Sequence, residues 1–367
     1  MKQDPFKMYI KQTEPNKKYK GYAWSTAIGL QAVDGLKPSE KLIKTAIDNI
    51  EGNISMIDAE KQIENYYAAN SQRTEDNRTE EADKVSVRIA AILSEKSFSF
   101  APSEYIGIHK KLFSGIYKYA GKIRDYNITK KEWVLDGSTV LYGNASELRE
   151  TLEYDFKEEK GFNYKGLSID EIIQHLAYFI SRLWQIHIFG EGNTRTTAVF
   201  FIKYLRALGF DATNDIFAEN AWYFRNALVR ANYTNLKENI HETTEYLEKF
   251  IRNLLLNEKN ELKNRYLHIG NICERENVAI DDKNMAIDKK NIAIETRISE
   301  MKFNIQTITN IKKIYEKYGT ENIFGRGDIA KDCNISYSAA GNLISKMRVN
   351  GLVDDVKGYG KGKYRFR

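Results

Sequence analysis

The sequence predicts a mainly helical chain closed by a C-terminal winged helix-turn-helix domain. Three observations carry this. Only four prolines interrupt 367 residues, of which 29% are charged and 42% hydrophobic. Apolar residues recur at three- and four-residue spacing through most of the chain, the period of an amphipathic helix. The segment 301–367 changes character. It reads as helix, turn and helix, followed by two strand-like runs around a Gly/Lys tip. It also holds the basic excess, with thirteen Lys/Arg against six Asp/Glu, whereas 1–300 has 43 basic and 44 acidic residues.

The elements follow in order. Residues 1–20 are polar and Lys-rich. Residues 22–67 read as short helices, with Ala46, Ile47, Ile50, Ile54, Ile57, Ala59 and Ile63 at helical spacing. The run 70–83 is polar and without apolar period, and the first boundary is placed there, giving an N-terminal segment of 1–75. A helical domain of 76–256 follows, with Val85, Ile89, Ile92 and Leu93 on one face and apolar-rich helices over 167–184 and 197–208. Within it, Ile123–Tyr142 is rich in β-branched and aromatic residues and contains Asp136-Gly137, a hairpin turn pair. A β-hairpin is expected there. Residues 257–300 read as a helical connector, because Asn277, Asn284 and Asn291 each begin an Asn-x-Ala-Ile repeat with a seven-residue period. The repeat leaves a homodimer open.

In 301–367, 308–318 is expected as the first helix, 326–332 as the second and 337–350 as a recognition-type helix. Residues 357–363 form the wing tip. Lys346, Arg348, Lys361, Lys363, Arg365 and Arg367 suit phosphate contacts, so DNA is one expected partner of this domain and a docking protein the other.

Composition excludes several classes. Mean hydropathy is −0.54, and no run of about 18 apolar residues suggests a membrane span. Two cysteines, Cys273 and Cys333, are too few for a disulfide framework or a four-thiolate zinc site. No secretory signal is read at the N-terminus, and a soluble cytoplasmic protein is expected.

Chemistry concentrates in His187–Thr197, HIFGEGNTRTT, between two apolar helices. Gly190, Gly192 and Asn193 allow a tight turn at a helix N-terminus, where free N–H groups and the helix dipole favour an anion. Thr194 can add a hydroxyl donor to that nest. Arg195 supplies a charged fork for phosphate oxygens, and Glu191 a hard carboxylate for Mg²⁺. His187 is placed to take a proton from an attacking hydroxyl. Together they describe phosphate-linked group transfer.

This segment resembles the Fic/Doc signature, His-x-Phe-x-(Asp/Glu)-Gly-Asn-(Gly/Lys)-Arg. The likeness extends over roughly 84–256, taking in Ile108–Phe113, Ala120–Arg124 as the start of a flap hairpin, and Asn220–Tyr233 as a helix beside the nucleotide. The resemblance implies a Fic-type helical core with a β-hairpin flap. It implies an ATP- and Mg²⁺-dependent adenylyltransferase that moves AMP to a Ser, Thr or Tyr hydroxyl of a target protein. By position, His187 is then the base, Phe189 the core anchor and Glu191 the metal ligand. Gly190, Gly192, Asn193 and Thr194 line the nest, with Asn193 donating to the α-phosphate. Arg195 holds the β-phosphate, and Tyr223 is a nucleotide contact. The flap around 128–135 would pin the target segment by strand addition.

The sequence departs from the family pattern in three places. Ile188 replaces the usual Pro, and Thr194 replaces Gly or Lys. Ala198 stands where many adenylylating members carry a second Arg, which helps hold the γ-phosphate and pairs with an inhibitory Glu. Upstream, Leu30–Ser39 and Ile50–Ser55 resemble a fused VbhA-type antitoxin module. Its carboxylate would be Asp34, or alternatively Glu51, and neither has the family's Ser/Thr four residues before it. With the second Arg absent, weak or altered inhibition by the N-terminal segment is expected. The alternative to a transferase of AMP is a nucleotide-sensing regulator with a weak Fic core, or an enzyme moving another phosphate-linked group.

Overall fold

The computed structural model describes residues 5–11, 14–69, 77–213, 215–270, 303, 305–319, 322–356 and 362–366. The repeats of 277–300, the wing tip around Lys361, and Arg367 lie outside them. The chain is mainly helical and divides into two compact units, Met1–Glu274 and Arg275–Arg367. No helix among the described residues is long and apolar enough to cross a membrane.

The first unit is built from α1 (Lys7–Ile10), α2 (Pro15–Gly29), α3 (Glu40–Glu51), α4 (Met56–Ala69), α5 (Asn77–Ser94), α6 (Pro102–Phe113), α7 (Leu148–Gly161), α8 (Ile169–Ile186), α9 (Asn193–Ala207), α10 (Ile216–Arg230) and α11 (Glu245–Leu256), with a 3₁₀ turn at Leu30–Asp34. Its centre is α9, where every side chain from Asn193 to Leu205 is buried. A helix buried all round needs partners on every side. It packs against α5, α6 and α8 and touches the 3₁₀ turn.

The helices before residue 75 share this core. Trp24 and Leu42 are fully buried in the same apolar cluster as Phe200 and Leu205. Gly29 lets α2 approach α10 closely, since a Cβ there would lie 2.4 Å from the Ala218 Cα. Asp83 of α5 ties the two parts further, accepting from the Ser39 N–H (2.8 Å) and the Tyr67 hydroxyl (2.8 Å). Ser39 also caps α3 by accepting from the Leu42 N–H at 3.1 Å.

Two helix ends set up the loop of interest. At the start of α8, Ser168 and Glu171 form a reciprocal capping box. At its end the backbone turns left-handed at His187 (φ 49°, ψ 51°), a place usually given to Gly. The next helix, α9, opens from Gly192, also left-handed at φ 78°.

The expected β-hairpin is not formed. Ile123–Tyr142 contains no strand, only a 3₁₀ turn at Trp133–Leu135. The turn pair does behave as its residues require, with Asp136 at φ 49° and Gly137 at φ 82°. However, Val134 and Leu135 are adjacent and both fully buried. Two neighbours facing the same core break the two-residue alternation a strand needs. Ladder-like bonding is limited to Glu132 and Ser138 (2.9 Å).

In the second unit, α12 (Ile305–Tyr318), α13 (Arg326–Asp332) and α14 (Tyr337–Val349) enclose a core of Ile311, Ile314, Ile329, Leu343 and Met347. Strands β1 (Phe324–Gly325), β2 (Val353–Asp355) and β3 (Lys363–Phe366) form an antiparallel sheet of order β1-β3-β2. The register pairs Phe324 with Tyr364 and Val353 with Phe366. Asn334, left-handed at φ 51°, makes the turn between α13 and α14.

Candidate active site

The loop Ile188–Gly192 is braced from within. The Asn193 side chain accepts from the Phe189 N–H (3.0 Å) and donates to the Phe189 carbonyl (2.7 Å). Asn193 was expected to donate to a phosphate; its amide instead locks the loop on itself. Phe189 is fully buried and stacks on His109 at 3.7 Å and on Tyr105 at 5.7 Å. His109 accepts from the Gly121 N–H at 2.8 Å, so its other nitrogen carries the proton and donates to the Glu191 carbonyl at 3.0 Å. Burial pushes its pKa down to about 4, so it stays a neutral strut near neutral pH. Thr194 accepts from the Trp184 indole N–H at 3.0 Å, which fixes its oxygen through a lone pair and does not use its O–H donor.

Arg124, from the quoted Ala120–Arg124 run, clamps the base of the loop. Its Nε donates to the His187 carbonyl at 2.8 Å, and its other nitrogens reach the Tyr126, Gly143 and Ile186 carbonyls. The loop is also held tightly at its glycines. A Cβ at Gly190 would lie 2.6 Å from the Tyr126 hydroxyl, and one at Gly192 2.4 Å from the Phe113 ring. Gly192→Ala adds left-handed strain of about 1–2 kcal/mol and overpacking of about 1–3 kcal/mol. We expect a loss of roughly 2–4 kcal/mol in denaturant melts, and a variant within about 0.5 kcal/mol of the parent would show that the loop relaxes freely.

His187 is buried, 3% exposed, in a box of Tyr142 (4.3 Å between rings) and Trp184 (5.2 Å, edge-on). Among the described residues neither ring nitrogen has a hydrogen-bond partner of good geometry. Its pKa lies well below the usual histidine value, first from burial and then from the charges of Lys130 and Arg225. The ring is therefore neutral, the form a proton acceptor needs. Tyr142 is fixed in turn by donating to Glu132 at 2.8 Å. Glu132 is fully buried and lies 2.7 Å from Arg225. That contact is coulombic, because the atoms are close without hydrogen-bonding alignment.

Glu191 projects to solvent, and Lys130 sits against both carboxylate oxygens at 3.2 and 3.0 Å. Among the described residues no cluster of three or more His, Cys, Asp or Glu is arranged to hold a metal. Glu191 is thus a single carboxylate beside an anion nest. That suits a cation such as Mg²⁺, which commonly takes one or two carboxylates plus ligand phosphates.

Arg195 is the most heavily engaged group. It is 1% exposed. Its Nε lies 2.8 Å from Asp34, and its Nη2 donates to Glu81 at 2.6 Å. Its Nη1 donates to Gln31 at 3.0 Å, and its guanidinium lies 4.9 Å from the Phe113 ring centre. The Asp34 contact is an ion pair without hydrogen-bond alignment. Burial alone would lower the Arg195 pKa; Asp34, Tyr117 and Glu81 together hold it above the ordinary value.

The sequence reading left Asp34 without an arginine partner, because Ala198 takes the place of the second Arg. The structure corrects this: Asp34 reaches the first arginine of the motif instead. Glu51, the other carboxylate considered, is held elsewhere, by the Tyr9 hydroxyl at 2.7 Å and Lys17 at 2.9 Å. Tyr223 is 1% exposed, and its hydroxyl donates to the Tyr246 carbonyl, leaving little surface for a nucleotide. Gln31, Glu81, Lys130, Glu132, Tyr142 and Arg225 were not singled out as site residues, although Gln31 lies inside the quoted Leu30–Ser39.

Comparison with known proteins places this geometry. Residues 99–205 match the Fic/DOC family. The protein adenylyltransferase VbhT of Bartonella schoenbuchensis is 32% identical over 103 residues, 28% of this chain and 20% of that protein. The chain thus spans one fifth of the length of that relative. Among solved structures, the N-terminal FIC domain of the Bep8 protein from Bartonella sp. 1-1C is 18% identical (TM-score 0.39; 50% of this chain, 88% of that one). A Fic family protein from Desulfovibrio desulfuricans G20 is 12% identical (TM-score 0.37; 93% of this chain, 96% of that one). From the matched residues, the chain carries a Fic/DOC family domain at 99–205, the segment that contains the whole loop from His187 to Thr197.

Proposed function

We propose that this protein is a Fic-type adenylyltransferase, moving AMP from ATP to a hydroxyl of a target protein, and that its N-terminal segment holds it in check. The observation that carries the reading is the convergence on one loop of a neutral histidine, an exposed carboxylate, a helix N-terminus and a buried arginine already paired with carboxylates. A buried guanidinium that donates to one carboxylate and lies against another is suited to phosphate oxygens of similar charge and geometry.

In the proposed reaction the target hydroxyl approaches the His187 side of the loop. His187 accepts its proton as the oxygen bonds to the α-phosphorus, and the bond to the β-phosphate oxygen breaks, releasing pyrophosphate. The first N–H groups of α9 have no intrahelical partner and can donate to the phosphates. Arg195 would take the β-phosphate once freed from Asp34. Glu191 would hold Mg²⁺, which supplies neutralisation of phosphate charge when bound. Phe189, His109 and Arg124 keep the loop from moving during the reaction.

Four contacts oppose this chemistry as the chain stands. Asp34 and Glu81 neutralise Arg195, Lys130 covers Glu191, and Tyr142 covers His187. Such contacts support a shut form that must open at Asp34 and along 123–142. The test is intact-mass analysis of the full chain incubated with ATP and Mg²⁺, alone and with candidate target proteins, beside Asp34→Ala. A gain of one AMP mass, larger with the variant, is expected. The full engagement of Arg195, together with Ala198, also supports a second reading, a nucleotide sensor that does not transfer. Calorimetric nucleotide binding with no mass gain on any protein would favour it.

A further inference from the structure

The second unit is not used by the reaction above, and its surface has its own logic. Helix α14 contains no carboxylate over Tyr337–Val349, in a chain with 50 of them. Ser338, Asn342, Ser345, Lys346 and Val349 are exposed at helical spacing and form one stripe of mostly small hydrogen-bonding side chains. The carboxylates nearby are already occupied. Asp332 accepts from Lys317 at 2.6 Å and Tyr318 at 2.7 Å. Asp328 accepts from the Gly325 N–H at 2.7 Å, and Asp355 pairs with Arg348 at 2.5 Å.

The start of α14 adds an independent observation. A helix N-terminus carries partial positive charge and is normally complemented by an acidic residue. Here the first turn has none. Instead the Arg326 guanidinium lies 5.1 Å from the exposed Tyr337 ring and so close to Gly341 that a Cβ there would be 2.6 Å from its Nη2. Among the described residues no carboxylate pairs with Arg326. A cation near the positive end of a helix is mildly unfavourable, here offset in part by the Tyr337 ring, and an external anion joining it would be favourable.

We propose that the second unit is a winged helix-turn-helix that binds double-stranded DNA, with α14 in the major groove and Arg326 and Lys346 on phosphates at its two ends. The groove, about 12 Å wide, admits a helix of about 10–12 Å diameter when its side chains are small, as Ser338, Asn342 and Ser345 are. Asn342, mid-stripe, has the amide geometry that reads adenine. A-form RNA has a deep, narrow major groove that excludes such a helix. The two large exposed apolar side chains of α14, Tyr337 and Val349, sit at opposite ends and form no continuous patch for a protein partner.

The test is fluorescence anisotropy of the full chain with a labelled duplex of about 25 base pairs at salt from about 50 to 200 mM. Affinity should fall about tenfold or more across that range, and the salt slope should shrink by about one for each phosphate contact removed. The double variant Arg326→Ala, Lys346→Glu should bind at least about tenfold more weakly. Lys249→Glu, on the first unit, makes the same change at a lysine and should bind as the parent does. Asn342→Asp, at an exposed position that does not support the core, provides a second variant should the double one unfold, and it should also weaken binding. The proposal is overturned by no binding at the lowest salt or by affinity independent of salt. Equal or tighter binding to duplex RNA, or an equal loss in Lys249→Glu, would overturn it too.

Discussion

His187→Ala should lower transfer by about 10²–10⁴-fold, the usual contribution of a positioned base, while leaving nucleotide affinity within about twofold. The two readouts separate because His187 lies on the Tyr142 side of the loop, whereas the groups proposed to face phosphate are Arg195 and the N–H groups of α9. The pH dependence gives a further check. With its pKa pressed well below the ordinary value by burial, His187 remains neutral through the range in which a solvated histidine, near 6.5, would protonate. Because kcat/KM reports the free, shut enzyme, kcat/KM in the parent should hold as pH falls from about 8 to about 6. A rate falling with protonation near 6.5 would mean that the working ring is solvated and that opening the flap abolishes the box. Full activity in the alanine variant would remove His187 from the mechanism.

The linked stability has a definite sign. For His109 and His187 the folded pKa is below the unfolded one, so the unfolded chain binds more protons between the two values. Stability contributed by keeping these rings neutral is present above pH 6.5 and is lost as pH falls from there towards about 4. Acid sensitivity in that window is a property of the loop's supports as well as of its base.

What was legible in the sequence was whatever is contiguous. The segment from His187 to Thr197 could be read because the turn residues, the histidine, the carboxylate and the arginine follow one another along the chain. The turn at Asp136-Gly137 could be read because both residues tolerate positive φ. The flanking strands were misread because buried Val134 and Leu135 follow the shape of the core instead of an alternating pattern. The engagement of Arg195 was illegible for another reason. Gln31 and Glu81 lie 164 and 114 residues from it, and nothing in their spacing marks them. Only the packing of the 3₁₀ turn and α5 against α9 brings them to one guanidinium. Which arginine Asp34 would meet was likewise decided by where its 3₁₀ turn lands, so alignment to a motif left Asp34 without the arginine partner that the fold supplies.

Asp34→Ala should raise nucleotide affinity at least about tenfold, and transfer with it. A phosphate and Asp34 compete for the same nitrogen face of Arg195, and a charge pair at about 4 Å under an effective dielectric near 20 is worth about 4 kcal/mol before desolvation. Asp34 is 30% exposed, so solvent removes much of that, leaving an estimated 1–3 kcal/mol to be recovered by the incoming phosphate. Removing Asp34 does not orphan the arginine, because Glu81 and Gln31 remain bonded to it. The fold should therefore survive, held by Trp24, Leu42 and the Asp83 network. Arg195→Ala is the informative partner. It should lose nucleotide affinity, and in its background Asp34→Ala should change nothing further. That non-additivity places the two residues in one interaction. If Asp34→Ala binds nucleotide no better than the parent, the 3₁₀ turn at Leu30–Asp34 is a structural brace. The restraint would then rest on Glu81, Lys130 and Tyr142.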